Sequence, residues 1–185
     1  MQKRAMSGRI DESLAFRPLR VAVLTVSDSR GLDEDKSGAV LLERLAAAGH
    51  HVVDRRILRD DQGAIEAQFR AWIADPGVEV VITTGGTGVT GRDITPEALH
   101  AVIEKHVPGF GELFRAQSYE KIGTSSLQSR ADAGVANGTY LFVVPGSPGA
   151  CRDAWDGILV HQLDIRHRPC NFAELLPRLR EHEPG

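Results

Sequence analysis

The sequence has little cysteine and no long apolar run. Its two cysteines, Cys151 and Cys170, form neither a C-x-x-C pair nor a zinc-ligand spacing. This pattern favours idle thiols in a reducing compartment over a disulfide framework. Strictly apolar stretches such as Leu141–Val144 are only a few residues long, whereas a membrane-spanning helix needs roughly 20. The opening segment MQKRAMSGRIDESLAF lacks the apolar core of a secretory signal. We therefore expect a soluble, cytoplasmic protein with no membrane partner.

The sequence also lacks an excess of basic charge. It has 22 basic and 25 acidic residues, a formal net charge of −3. Proteins that hold nucleic acid through its phosphates usually carry a basic excess, so general nucleic-acid binding is disfavoured. The length of 185 residues suits one domain, and the 42% apolar content excludes wholesale disorder. The 19 glycines are unevenly placed along the chain.

Short apolar runs alternate with helical patterns along the chain. Alternation of this kind is typical of βαβ units and a parallel sheet. We therefore predict an α/β fold of three layers, a doubly wound, mostly parallel sheet with helices on both faces. Residues 1–18 are predicted to form an N-terminal arm, 19–167 the domain and 168–185 a C-terminal tail without regular structure, apart from a possible turn near 175–180. The predicted strands are Leu19–Val26, His51–Leu58, Val78–Thr84 and Thr139–Val144.

Helix signals lie between and after these strands. Preferred capping residues predict helices that begin at Ser37, at Asp60 or Asp61, and at Thr95. Residues 110–121 and Thr124–Val135 also look helical, and a long final helix follows the last strand.

In a doubly wound sheet the ligand binds beyond the carboxyl ends of the strands. That rule selects the segments 27–31, 59–61, 85–93 and 145–148. The third segment carries four glycines directly after a buried strand, and successive amides in such a loop can hold a phosphate. It fits neither the dinucleotide fingerprint nor the P-loop, because Arg92 and Asp93 follow the glycines where those motifs need a helix or Lys-Ser/Thr.

Two aspartates lie at strand ends next to this loop. Asp93 beside a bound phosphate is unfavourable unless a cation such as Mg²⁺ stands between them, and Asp60 could supply a second carboxylate. Asp60 alone could equally be a helix cap. Ser27 and Asp28 either cap locally or line the same site. The turn Pro145–Pro148 opens a helix and could hold another anion, although it could also be an ordinary turn.

The seven histidines give a weaker signal. His50 and His51 adjoin a strand start, and His100 and His106 lie on or beside a helix. The sequence contains no H-E-x-x-H and no His/Cys cluster with zinc spacing, so we interpret the histidines as solvated or structural.

The motifs together resemble the molybdenum-cofactor biosynthesis MoaB/MogA family, which includes the G domains of gephyrin-like proteins, and look most like its MoaB branch. The resemblance covers about residues 19–167. It is carried, in family order, by VLTVSD at 23–28, DKSG at 35–38, TTGGTG at 83–88, RDITPE at 92–97, PGFGE at 108–112 and PGSP at 145–148. The segment SSLQSRADAGV and the ending RPCNF resemble the MoaB branch.

The resemblance implies a homotrimer or a homohexamer that binds molybdopterin and adenylylates it with Mg-ATP, releasing pyrophosphate. Carried over by position, the family's catalytic aspartates, which would also hold Mg²⁺, fall on Asp60 and Asp93. The implied substrate-binding residues are Ser27, Asp28, Ser37, Gly85, Gly86, Thr87, Gly88, Glu112, Pro145, Gly146, Ser147 and Pro148.

Two other functions remain as alternatives. One is a non-catalytic molybdopterin or pterin carrier of the same pathway that uses the same pocket. The other is a nicotinamide oxidoreductase built on Gly86, Gly88 and Gly91, which lacks a convincing acidic residue for the ribose.

Overall fold

The computed structural model describes residues 8–29 and 31–181 of the chain. The strands of this part are β1 Arg9–Ile10, β2 Arg20–Val26, β3 His51–Leu58, β4 Val80–Thr84, β5 Lys105–His106, β6 Asp132–Ala136, β7 Thr139–Val144 and β8 His167–Arg168. Its α-helices are α1 Lys36–Ala47, α2 Gln62–Ala74, α3 Thr95–His100, α4 Pro108–Ile122, α5 Pro148–Ala154, α6 Val160–Gln162 and α7 Phe172–Leu175. A π-helical turn, Trp155–Leu159, joins α5 to α6.

Six of the strands form one twisted sheet in the order β3-β2-β4-β7-β6-β5. The four strands from β3 to β7 run parallel, and β6 and β5 are antiparallel additions at one edge. Apolar side chains alternate between two cores, because successive residues of a strand point to opposite faces. Val21 and Val23 face Leu41 of α1, whereas Ala22 and Leu24 face the α2 side. The predicted three-layer, mostly parallel α/β fold is confirmed.

The antiparallel edge is the part of the sheet that the sequence patterns did not predict. The prediction of a helix over Thr124–Val135 is wrong beyond a 3₁₀ segment at Gly123–Gln128, because β6 begins at Asp132. Asp132 pairs with Val143 and Ala136 with Thr139, so β6 and β7 form a hairpin. β6 packs so closely against Ile103 that it needs a small residue there. A Cβ on Gly134 would lie 2.5 Å from Ile103 Cγ2.

Two predicted helix caps are also wrong. Asp35, not Ser37, caps α1, and its buried carboxylate accepts hydrogen bonds from Gly38 N and Thr25 Oγ1 and pairs with Arg55. A carboxylate suits this cap position better than a hydroxyl because it can accept hydrogen bonds from three donors at once. Thr95 is the first residue of α3 instead of its cap, and its hydroxyl donates to Gly85 O.

Both chain ends contain more structure than predicted. Within the described residues of the arm and tail, β1 pairs with β8, and α7 forms at Phe172–Leu175. The 3₁₀ turn at Leu176–Arg178 confirms the turn predicted near 175–180. Residues 1–7 and 182–185 lie outside the described part. Both cysteines are free. In the described part, no helix is long and apolar enough to cross a membrane.

Candidate functional site

A cleft of about 640 Å³ opens at the carboxyl ends of the parallel strands. Each of the four strand-end segments selected from the sequence contributes to it. Of the predicted site residues, the cleft is lined by Ser27, Asp28, Asp60, Gly85, Gly86, Thr87, Gly88, Asp93, Pro145, Gly146 and Ser147. The topology explains this meeting, because parallel strands end at the same edge of the sheet.

The glycine loop, Gly85–Asp93, turns sharply as it leaves β4. Gly85 has φ +103°, and a Cβ there would lie 2.2 Å from Val26 O, so only glycine fits against β2. Gly86 has φ +65°, and a Cβ on it would meet Thr95 Oγ1 at 2.3 Å and Asp60 Oδ1 at 3.1 Å. The backbone therefore passes close to the Asp60 carboxylate without side-chain bulk between them.

Arg130 holds this loop from the antiparallel side of the sheet. Its guanidinium donates to Gly88 O at 2.6 Å and Asp93 O at 2.8 Å, and it pairs with Glu97. Its backbone N–H donates to Thr87 O at 2.9 Å. Arg130 was not among the predicted site residues, because the segment that carries it was predicted to be helical.

Asp93 is tied into the loop by local hydrogen bonds. Its Oδ2 accepts from Thr90 N at 2.9 Å and from Thr90 Oγ1 at 2.6 Å. Partial burial alone would raise the pKa of Asp93, but the hydrogen bonds from Thr90 and Gly88 outweigh burial and lower that pKa. Asp93 is therefore a firmly ionised carboxylate.

Asp60 lies across the cleft in a different environment. Burial is the largest cause that raises the pKa of its carboxyl group, followed by the negative charge of Asp28, with Asp93 adding to it. Asp28 is itself engaged by Arg92, whose Nε and Nη2 lie 3.0 and 2.6 Å from Asp28 Oδ2, and this contact lowers the pKa of Asp28. Asp60 is not the cap of α2, since Asp61 accepts from Ala64 N at 2.8 Å.

The second loop, Pro145–Pro148, packs directly on the first. Gly146 lies so close to Gly85 that a Cβ on it would be 3.1 Å from Gly85 Cα. Ser147 caps α5 by accepting from Ala150 N at 3.1 Å. Ser37 lies behind this loop, buried, and its hydroxyl donates to Gly146 O at 2.9 Å.

Backbone amides of both loops are available to a ligand. Among residues 8–29 and 31–181, no hydrogen-bond acceptor is found for the N–H groups of Gly86, Thr87, Gly146 or Ser147. Several unpaired amides around one cleft form an anion-binding nest. The two loops therefore combine donors for an anion with the carboxylates of Asp60 and Asp93.

The opposite wall of the cleft comes from α4 and the 3₁₀ segment after it, of which the family resemblance implied only Glu112, a residue that does not line the cleft. Phe114 and Ile122 give this wall an apolar part. Its polar side chains are those of Ser118, Lys121, Ser125 and Gln128. Helical periodicity predicted most of α4, but nothing local in the sequence shows which strand end the helix crosses.

Three predicted site residues do not line the cleft. Glu112 is exposed on α4, Pro148 lies in the first turn of α5, and Ser37 is the buried support described above. Pro148 is the last residue of the second loop and Ser37 contacts that loop, whereas Glu112 is not brought to the cleft.

The fold and cleft define a doubly wound α/β protein whose strand ends carry unpaired backbone amides and two carboxylates. Residues 22–165 match the family model described as "Probable molybdopterin binding domain". The chain therefore belongs to this family, which confirms the resemblance found in the sequence.

Known relatives agree with this assignment. Molybdenum cofactor biosynthesis protein B of Escherichia coli strain K12 is 55% identical over 160 residues, 86% of this chain and 94% of the relative. A crystal structure of molybdenum cofactor biosynthesis protein B, 38% identical, has a TM-score of 0.82 and covers 91% of this chain and 99% of its own. The tungsten cofactor synthesizing protein MoaB of Pyrococcus furiosus is 35% identical and has a TM-score of 0.69. The match covers 91% of this chain and 98% of that structure. These similarities support the MoaB branch.

Proposed function

We propose that the chain acts in molybdenum cofactor biosynthesis, where it binds molybdopterin in the cleft and adenylylates it with Mg-ATP. The names of the relatives and the family support the pathway and the ligand. The observation that carries the reaction type is the pair of carboxylates, Asp60 and Asp93, beside two loops with unpartnered amides. A site for a phosphate ester alone would gain nothing from two negative charges at its edge.

The donor set of the cleft fits a magnesium ion. Asp60 and Asp93 offer the oxygen ligands that Mg²⁺ prefers, together with substrate phosphates. The raised pKa of Asp60, caused by burial and by neighbouring carboxylates, indicates local excess negative charge that a cation would relieve. When bound there, Mg²⁺ would offset the charge of the phosphates and of the leaving pyrophosphate.

The reaction is a transfer at phosphorus. An oxygen of the molybdopterin phosphate forms a bond to the α-phosphorus of ATP, the bond from this phosphorus to its bridging oxygen breaks, and pyrophosphate leaves with the electron pair. Such transfers depend on positioning and charge stabilisation more than on covalent catalysis. In this chain, the amides of Gly86, Thr87, Gly146 and Ser147 would position phosphates, and the wall with Phe114 and Ile122 would exclude water from a ring system.

The test is pyrophosphate release by the full chain with molybdopterin and Mg-ATP. We expect release that depends on both substrates, and a loss of about 100-fold or more in Asp60→Asn, which removes one charge at constant size. Asp61→Asn is the matched control, because it makes the same charge change at the next residue, outside the cleft lining, and asparagine still caps a helix.

The alternative function, a non-catalytic pterin carrier, predicts a different result in the same experiment. Calorimetric titration would then show binding of molybdopterin without any release of pyrophosphate from ATP. Activity equal to wild type in Asp60→Asn would contradict the catalytic role of that carboxylate.

The assembly implied by the family resemblance, a homotrimer or homohexamer, stays a prediction. Light scattering of the full chain would report three or six times the 20.1 kDa protomer mass. A mass equal to one protomer would contradict it.

A further inference from the structure

Two histidines and one aspartate meet at the antiparallel edge of the sheet, outside the cleft. His100 Nε2 lies 2.6 Å from Asp132 Oδ2, and His106 Nε2 lies 2.7 Å from Asp132 Oδ1. The ligating atoms of the three side chains all lie within 4.8 Å of one another. Nothing in the sequence spacing suggested this cluster, because its members come from three different elements.

The fold brings the three side chains together through its least predictable part. His100 ends α3, His106 lies in β5, and Asp132 opens β6. His106 of β5 pairs with Gly134 of β6. Asp132, two residues before Gly134, is therefore the diagonal neighbour of His106 on the same face of this strand pair. Ala133 N donates to Asp132 Oδ1 at 2.9 Å, which helps to orient the carboxylate.

The charge balance of the cluster leaves room for a cation. In the described part of the chain, the ion-pair partners of Asp132 are these two histidines and no lysine or arginine. The Asp132 side chain is only 14% exposed, whereas those of His100 and His106 are 51% and 45% exposed. Within the described residues, this largely shielded carboxylate therefore has no permanently charged side chain as its ion-pair partner. The exposed rings can move back by the small distance that an ion between the three atoms requires.

We propose that His100, His106 and Asp132 bind a divalent first-row transition-metal ion, with Zn²⁺ as the test ion. Two imidazoles and one carboxylate form a ligand set of open zinc sites, in which a fourth position holds water or another ligand. Imidazole nitrogen selects Zn²⁺ and similar ions over Mg²⁺, which prefers oxygen ligands. The chain would thus hold two different classes of metal, one in the cleft and one at this edge. The earlier interpretation of His100 and His106 as merely solvated or structural is revised accordingly.

Calorimetric titration of the metal-free full chain with Zn²⁺ tests the proposal. We expect one site of stoichiometry one per chain that is lost or strongly weakened in His100→Gln, in His106→Gln and in Asp132→Asn. Removal of one ligand should weaken affinity by at least the roughly 10- to 100-fold that loss of a second-shell partner costs. Titration with Co²⁺ should give the visible absorption of a site with nitrogen ligands, absent from the same variants.

Two control variants locate the ion. His51→Gln removes another exposed histidine, and Asp60→Asn removes a cleft carboxylate, so both should bind Zn²⁺ like wild type. Because Asp132→Asn could disturb β6, the exposed variant His100→Gln must show the loss while its far-UV circular dichroism matches wild type. Absence of a stoichiometric site in wild type, unchanged affinity in a folded His100→Gln, or loss only in Asp60→Asn would each overturn the proposal.

Discussion

The two acidic sides of the cleft, the turn with Asp60 after β3 and the glycine loop with Asp93 after β4, are built in opposite ways. Asp93 receives hydrogen bonds from its own loop, which Arg130 fastens to the antiparallel edge. Asp60 faces the carboxylates of Asp28 and Asp93, and Arg92 is engaged by Asp28. Accordingly, the pKa of Asp93 is lowered by hydrogen bonds that outweigh its burial, and the pKa of Asp60 is raised by burial and like charge.

This difference indicates that the Asp93 side and the Asp60 side contribute differently to stability and to ligand binding. The glycine loop is held by close packing against β2 and by hydrogen bonds from Arg130, and its Asp93 accepts hydrogen bonds within the loop as well as lining the cleft. Burial and nearby carboxylates disfavour the ionised form of Asp60 in the free protein, and a bound cation would offset this cost. Substitutions on the two sides should therefore separate stability from function.

Gly85→Ala should give the largest effect. A Cβ at φ +103° and 2.2 Å from Val26 O forces the loop away from β2, and we expect a loss of about 3 kcal/mol or more in the free energy of unfolding, measured with urea. Gly91→Ala is the matched control in the same loop, because its Cβ would meet nothing within 4 Å. Equal stability of the two variants would show that the loop is not held as described.

Asp93→Ala should have a smaller destabilising effect. It removes the acceptor for Thr90 N and Thr90 Oγ1, and we expect a loss of about 1 to 2 kcal/mol at pH 7. Since the folded pKa of Asp93 is lowered, its contribution is present above the unfolded value near 3.8 and is lost as pH falls through the folded pKa. The stabilities of wild type and Asp93→Ala should therefore converge in acid, and a gap that stays constant from neutral pH down through the acid range would refute this source of stability.

Asp60→Ala should give the smallest effect on stability, with the opposite sign. The raised pKa of Asp60 means that its ionised form is disfavoured in the fold, so its removal should raise stability at pH 7 by about 0.5 kcal/mol or less. As pH falls through the folded pKa, wild type gains the proton more readily in the folded state and this advantage of the variant disappears. A lower free energy of unfolding for Asp60→Ala at pH 7 would contradict the statement that ionised Asp60 is unfavourable in the fold while Asp93 is favourable.

The parallel half of the fold was predictable because three of its four strands, β2, β4 and β7, are buried on both faces. Val78–Thr84 and Thr139–Val144 consist mainly of apolar and β-branched residues, and strands of this kind can be recognised without knowing their partners. The meeting of Asp60, Asp93 and the glycine loop at one edge followed from the parallel topology alone.

The antiparallel half could not be recognised in the same way. The sequence of β6, DAGVA, has little β propensity, and its strand identity comes from pairing with β7 and β5. The roles of Arg130 and of the α4 wall depend on that pairing, as does the cluster of His100, His106 and Asp132. Asp35 and Ser37 are both good helix caps. Asp35 caps α1, and its carboxylate also contacts Arg55, a residue that is distant in sequence.

A single-turnover experiment tests the central claim most directly. The full chain is mixed with equimolar molybdopterin and with Mg-ATP labelled at the α-phosphate. The products are then separated. We predict transfer of the label to molybdopterin with release of one equivalent of pyrophosphate, and transfer slowed about 100-fold or more in Asp60→Asn. Binding of both substrates to wild type with the label remaining in ATP would contradict the adenylyltransferase function and favour the carrier.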